Sequence, residues 1–283
     1  MTTGGNATGM PMSETYTPPA IEDADWVDWL IIFNDRARDF IGEFAQETAG
    51  SDDPRGLSAK FAIAARSLTL IRSALVLLQN EEQIAFRIMA RGIIECAMHM
   101  ESACTTDEYL PLLYDDDKAS RISRGKLLQK TTELSEKANS KLQKFVMGDG
   151  KTKPKSMNIG ELSKGSNFPR FQVFYRQISA DAEHVTWTSL CRHPQETFDR
   201  IRLELDPQLE DEEMFETISL IALAAMTVVL HLRHSLGITQ NEEEFSALGR
   251  RYMELYREGV AEFGEQPAEG EALPQDSVVP LKH

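Results

Sequence analysis

The sequence predicts an all-α fold, a multi-helix bundle with disordered N- and C-terminal tails. Apolar residues recur three and four positions apart through several long stretches, which is the period of one buried helix face. Clusters of Pro, Gly and Asp separate these stretches and mark turns. Hydrophobic residues make up 41% of the 283 residues, which is enough for a sizeable core. We expect about seven to nine helices on this pattern.

The chain divides into one helical domain and two tails. Residues 1–22 are rich in Thr, Gly, Pro and Ser, and residues 264–283 are rich in Pro, Glu and Gly. Segments of this composition bury too little apolar surface to order themselves, so both are predicted to be disordered. A single helical domain is expected over residues 23–263.

Three helices are predicted in the first part of the domain. Asp23 or Asp25 caps the first, the turn SDDPRG separates it from the second, and Ser58 caps the second. A short break at Asn80 leads into the third, and the second and third are expected to pack as a hairpin. The three helices are predicted to run over residues 26–48, 58–79 and 81–104.

The middle of the chain is more polar. A short helix from Thr105 or Thr106 through Tyr114 is predicted to precede a long polar helix ending near Met147. A Gly-, Lys- and Ser-rich loop should follow over residues 148–167, then a helix over 168–183. Alternating apolar residues from Phe198 to Leu205 indicate a lone strand or an extended arm.

Two helices are predicted to complete the domain. Asp211–Leu236 is the most apolar, and Gly237 is suited to end it as the residue after the C-cap. Its apolar run, Ile218–Leu230, is shorter than the roughly 18 residues that a membrane span needs, so a buried central helix and no membrane are predicted. The last amphipathic helix should cover Glu242–Phe263.

Composition favours a cytoplasmic protein with no cofactor. The three cysteines form no CxxC pair, and the N-terminus lacks the basic and apolar regions of a secretory signal. No phosphate-binding glycine motif, nucleophile elbow or metal-ligand pattern is present. The net charge is −15, but Arg121–Lys155 has a local charge of +7. That segment is either a solvated helix or a surface that binds RNA or a nucleotide.

A polar row follows one side of the third helix. Its members, four residues apart and therefore neighbours on the helix surface, are Arg87, Arg91, Glu95 and His99. Such a row is either a solvated face or a buried polar site at a helix interface. The small residues Ala90, Gly92, Cys96 and Ala97 flank the row and would let another helix approach.

A second polar group lies near the end of the helix predicted over residues 168–183. Tyr175 and Ser179 share a face of that helix, and His184, a side chain that titrates near neutral pH, follows them. We expect these side chains to converge with Arg91 and Glu95 across the helix interface. A buried Arg–Glu pair needs such partners, because unpaired buried charge is costly.

The two signatures Arg91-x-x-x-Glu95 and Tyr175-x-x-x-Ser179…His184 resemble those of an uncharacterised family of bacterial all-helical domains. The resemblance covers residues 59–236. It implies an all-helical fold but no function, because that family has no agreed activity. Ser179 and His184 are separated by four residues, where many members have three.

A more distant similarity is to HEPN domains, helical proteins of toxin and phage-defence systems, many of which are metal-independent RNases. Their signature is Arg and His separated by four to six residues, whereas Arg176 and His184 are separated by seven. The resemblance implies that His184 would transfer protons, that Arg176 or Arg91 would stabilise phosphate charge, and that the site would lie at a homodimer interface.

Two functions therefore remain open. The first is an interaction or sensor module, in bacterial defence or stress response, in which the polar cluster holds the fold or a ligand. The second is a HEPN-like metal-independent RNase. The candidate catalytic residues are His184, Arg176, Arg91 and Glu95, and the candidate binding residues are Tyr175 and Ser179. A homodimer is a further possibility.

Overall fold

The computed structural model describes residues 17–44, 53–147, 154–162, 170–197 and 200–264. Within these residues, the helices are α1 (Trp26–Phe44), α2 (Pro54–Gln79), α3 (Gln83–Thr105), α4 (Tyr109–Thr131), α5 (Glu136–Met147), α6 (Ile159–Leu162), α7 (Arg170–Ile178), the π-helix Ser179–Glu183, α8 (Trp187–Leu190), α9 (Asp211–Leu236) and α10 (Glu242–Phe263). The all-α prediction is confirmed. Eight of the α-helices have nine or more residues.

The core is built where the apolar faces of the long helices meet. α3 lies at its centre and packs against α2, α9 and α7. α1 and α10 close one side, where the indole Nε1 of Trp29 donates to the carbonyl of Leu248 at 2.8 Å. α1, α2, α3, α9 and α10 all contribute buried apolar side chains to this core.

Local signals set most helix ends. The carboxylate of Asp25 accepts from the amides of Val27 and Asp28 at the start of α1, as predicted. Asp53, not Ser58, caps α2, because Pro54 fits the first position of a helix and moves its start upstream. Gly237 has a φ of 63° at the end of α9, the left-handed conformation expected there.

The polar middle of the chain differs from its prediction. Tyr109–Thr131 is one continuous helix that contains Pro111 near its start, where a proline removes no intrahelical hydrogen bond. The long polar helix predicted to end at Met147 is instead interrupted between Thr131 and Glu136. α5 packs against α4, and a Cβ at Gly125 would lie 2.9 Å from Val146, so glycine permits this close approach.

Residues 198–205, predicted as a lone strand or an extended arm, instead contain one strand of a two-stranded hairpin. Pro194–Thr197 and Arg200–Leu203 pair as two antiparallel strands, β1 and β2. β1 could not be predicted from apolar alternation, because residues 194–197 have none. Some parts of the chain lie outside the described residues, among them residues 198–199, most of the predicted tails and most of the predicted loop over 148–167.

Two helices, α2 and α9, are long and apolar enough to cross a membrane by length and composition. In α9, 67% of the most apolar stretch is buried inside the protein, against 39% in α2. α9 is therefore largely buried, as its sequence predicts. α2 meets the same criterion, although the sequence analysis considered only α9.

Candidate functional site

The polar row of α3 lies at an interface between helices. Arg87 is buried, with 1% of its side chain exposed. Arg91, Glu95 and His99 are partly buried on α3, which packs against α7 and the π-helix. The interpretation of this row as a solvated face is therefore wrong.

Arg91 is the centre of a polar cluster at this helix interface. Its Nε donates to Ser179 Oγ at 2.7 Å, and its Nη2 donates to the hydroxyl of Tyr175. The carboxylate of Glu183 lies 2.6 Å from Nε, and that of Glu95 lies 3.8 Å from Nη1. The guanidinium of Arg91 is thus engaged by two hydroxyls and two carboxylates.

His184 and Arg176 stand at the edge of this cluster or outside it. His184 has 64% of its side chain exposed, and its Nε2 lies 3.8 Å from the carboxylate of Glu183. Glu183 therefore connects His184 to Arg91. Arg176 is exposed on α7. Glu183, which links His184 to Arg91, was not among the residues selected from the sequence.

Burial sets the protonation of the neighbouring aromatic groups. It lowers the pKa of His99, so this imidazole is neutral at pH 7, and its Nδ1 lies 2.9 Å from the hydroxyl of Tyr109. Burial also raises the pKa of Tyr175, an effect that the charge of Glu95 reinforces. Both hydroxyls therefore remain protonated and able to donate a hydrogen bond.

A second, deeper network was missed by the sequence analysis. Asp181 accepts from Nε and Nη2 of Arg192, both at 2.6 Å, and lies 3.0 Å from Nε of Arg87. Arg192 also donates from Nη1 to Glu213 at 3.0 Å. Arg87 donates from Nη1 to Thr217 Oγ1 at 2.7 Å.

The network joins α3, the π-helix, the turn after α8 and the first turns of α9. The Nε–H of Arg87 is not directed at Asp181, so that contact is an ion pair rather than a hydrogen bond. Hydrogen bonds to Arg192 hold the pKa of Glu213 below its usual range. Burial instead raises the pKa of Glu216, whose carboxylate lies 3.5 Å from Nη2 of Arg87.

The π-helix places its residues in both groups. Ser179 and Glu183 contact Arg91, whereas Asp181 contacts Arg87 one turn earlier on α3. A π-helical turn is rare and is frequently found at functional sites. One signal in the sequence could have pointed to the deep network: Arg87 follows buried Phe86 and precedes Ala90, which places a charge at the edge of the buried face.

The segment after the π-helix presents apolar side chains to solvent. Val185 is 88% exposed and Trp187 is 81% exposed. Leu190, at the end of α8, is also exposed. We call these three residues the Trp187 surface. Within the described part of the chain, no three His, Cys, Asp or Glu side chains are grouped so as to hold a metal ion.

These features define an all-α protein with a partly buried arginine cluster beside an exposed apolar surface. Residues 58–200 match a family of unknown function, DUF5677, and the chain belongs to that family. No curated protein and no solved structure matches the chain. The matched region contains Arg91, Ser179 and His184, so the arginine cluster lies within it, whereas Glu213 of the deep network lies beyond it.

Proposed function

We propose that the protein is a helical interaction module that binds a second copy of itself through the Trp187 surface. The exposure of Val185 and Trp187 is the observation that carries this proposal. Clusters of solvent-exposed apolar side chains mark interaction sites. Tryptophan is enriched among the residues that contribute most to binding energy at protein interfaces.

The surface is held rigidly, which lowers the entropy cost of binding. The Ser189 amide donates to Thr186 Oγ1 at 3.2 Å, and the Thr186 amide donates to Ser189 Oγ at 2.9 Å, so Trp187 lies within a capping box. Asp181 and Arg192 bracket the segment and bond to each other. The deep network thus anchors the base of the Trp187 surface.

The charge distribution permits a second copy to bind at the Trp187 surface. Two chains of net charge −15 repel each other over most of their surfaces. Residues 185–190 contain no charged side chain, so two copies can approach there without opposing carboxylates. A two-fold symmetric dimer is the commonest form of self-association. Two further parts of this proposal have other grounds: cytoplasmic location rests on composition, and a role in bacterial defence or stress response rests on resemblance.

Sedimentation velocity at micromolar concentration tests this proposal. Wild type should sediment as a dimer of the 31.8 kDa chain. Trp187→Ser should sediment as a monomer. Val76→Ser is the matched control, because Val76 is an exposed apolar residue on α2. A monomeric wild type, or a dimer that persists in Trp187→Ser, would overturn the proposal.

The second candidate function is a metal-independent RNase, and one observation favours it. Glu183 lies between Arg91 and the exposed imidazole of His184. His184 would take the proton of a ribose 2′-hydroxyl, whose oxygen attacks phosphorus, and would return a proton to the departing 5′-oxygen. Arg91 or Arg176 would stabilise the charge on the phosphate. Arg91 is already engaged by carboxylates, which makes this the weaker candidate.

Cleavage of a labelled RNA pool in EDTA tests the RNase candidate. Wild type is compared with His184→Ala and with His234→Ala, which removes an exposed histidine near the end of α9. Cleavage by wild type and His234→Ala but not by His184→Ala assigns the chemistry to His184. Absence of cleavage by wild type removes this candidate and leaves the dimer proposal standing.

A further inference from the structure

The helical pair α4–α5 forms a basic arm on an acidic protein. We define the basic arm as residues 121–144, which contain seven Lys or Arg side chains and two acids. Its net charge is +5 in a chain of net charge −15, so the remainder carries −20. All seven basic side chains are exposed.

The packing of the arm leaves its basic faces open. α5 turns Leu142 and Val146 toward Gly125 of α4, where a Cβ would lie 3.2 Å and 2.9 Å from them. Lys137, Lys141 and Lys144 are four and three residues apart and therefore share another face of α5. Glu133 and Glu136 stand at the turn, and Asp117 pairs with Arg121 at 2.8 Å.

We propose that the basic arm binds the phosphodiester backbone of a nucleic acid without sequence preference. The lysine row of α5 spans about 10 Å at 1.5 Å per residue. Duplex DNA presents about six phosphate charges over that axial distance. Phe145, 48% exposed beside this row, can stack on an unpaired base, which favours a single strand.

The arm fits a nucleic acid better than an anionic membrane. A helix that lies in a membrane interface needs a continuous apolar face. Here Leu142 and Val146 are used against α4, which leaves Phe145 and Leu127 exposed on different helices. The negative body does not prevent binding, because charges more than about 8 Å away are largely screened at physiological ionic strength. This surface is separate from the Trp187 surface, so the two proposals fail independently.

Fluorescence anisotropy tests the proposal with the full chain. The probes are a labelled 20-nucleotide RNA, the DNA single strand of the same sequence and its duplex. With about five phosphate contacts, the logarithm of the binding constant for single strands should fall with the logarithm of salt concentration with a slope of about −3.5. The triple substitution Lys137→Gln, Lys141→Gln, Lys144→Gln should weaken binding at least about tenfold and reduce the slope by about 2.

A matched control separates the arm from total charge. Arg72→Gln, Arg250→Gln, Arg257→Gln changes net charge equally but alters exposed arginines of α2 and α10. It should bind as wild type does. Equal losses in both triple variants would overturn the proposal, as would the absence of binding by wild type at low salt. Binding to vesicles containing phosphatidylserine but not to any of the three nucleic acids would also overturn it and would assign the arm to a membrane.

Discussion

Replacement of Asp181 by Asn should be among the most destabilising isosteric changes in the protein. The substitution keeps the shape of the side chain and removes a charge that faces Arg87 at 3.0 Å and Arg192 at 2.6 Å. Arg192 retains the carboxylate of Glu213, and Arg87 retains the more distant carboxylate of Glu216, at 3.5 Å. Breaking one partner of a buried ion pair costs about 3–5 kcal/mol. We expect about 3 kcal/mol, since both arginines keep one carboxylate.

Urea denaturation followed by far-UV circular dichroism measures this loss. Arg121→Ala is the control, because its pair with Asp117 is 60% and 51% exposed, and surface pairs contribute about 0–1 kcal/mol. The matched change Glu213→Gln should cost less than Asp181→Asn, because Glu213 is only partly buried. If Asp181→Asn lowers the free energy of unfolding no more than Arg121→Ala does, the deep network does not stabilise the fold as argued.

Four further predictions concern single positions. Gly237→Ala should lower the free energy of unfolding by about 1–2 kcal/mol, because the φ of Gly237 is 63°. Gly249→Ala, at a helical position with open space around it, should instead raise the free energy of unfolding by about 0.5–1 kcal/mol, and paired urea melts measure both changes. Gly259→Ala should cost about 1–3 kcal/mol in the same assay, since its Cβ would lie 2.0 Å from the ring of Phe215, and an unchanged midpoint would contradict this packing. Burial lowers the pKa of His99 below its value in the unfolded chain, so the unfolded state binds the proton first and the free energy of unfolding should fall as pH drops below about 6.5. His99→Gln should reduce this loss, measured as the difference in the free energy of unfolding between pH 7.5 and pH 5. Burial raises the pKa of the Cys96 thiol to about 11, so a thiol reagent at pH 7.5 should label exposed Cys191 rapidly and Cys96 only after unfolding.

The helices were predictable where a single local pattern decides them. α9 and α10 begin and end where the sequence predicts, because acidic first turns, long apolar faces and Gly237 all agree. α4 was mispredicted because a short helix through Tyr114 was separated from the long polar helix that follows it, whereas Tyr109–Thr131 is continuous and accommodates Pro111 in its first turn. The start of α2 moved for a related reason, since Pro54 and Asp53 together form a stronger start than Ser58.

The candidate site was predictable only in part. Helical spacing pairs Arg91 with Glu95 and Tyr175 with Ser179, and the structure brings these four side chains into contact through Arg91. The deep network depends on tertiary packing between residues such as Arg87 and Thr217, which are 130 positions apart. Spacing rules act within one helix and do not report such contacts. A π-helix also departs from the α-helical period, from which the buried face of a helix is inferred.

Amide hydrogen exchange at low and high protein concentration tests the central claim most directly, because it locates the surface that a second copy covers. The amides of residues 185–190 should become more protected as concentration rises, and those of the basic arm should not change. Protection that is independent of concentration over residues 185–190, or that rises elsewhere instead, would contradict the assignment of the Trp187 surface as the interface between two copies.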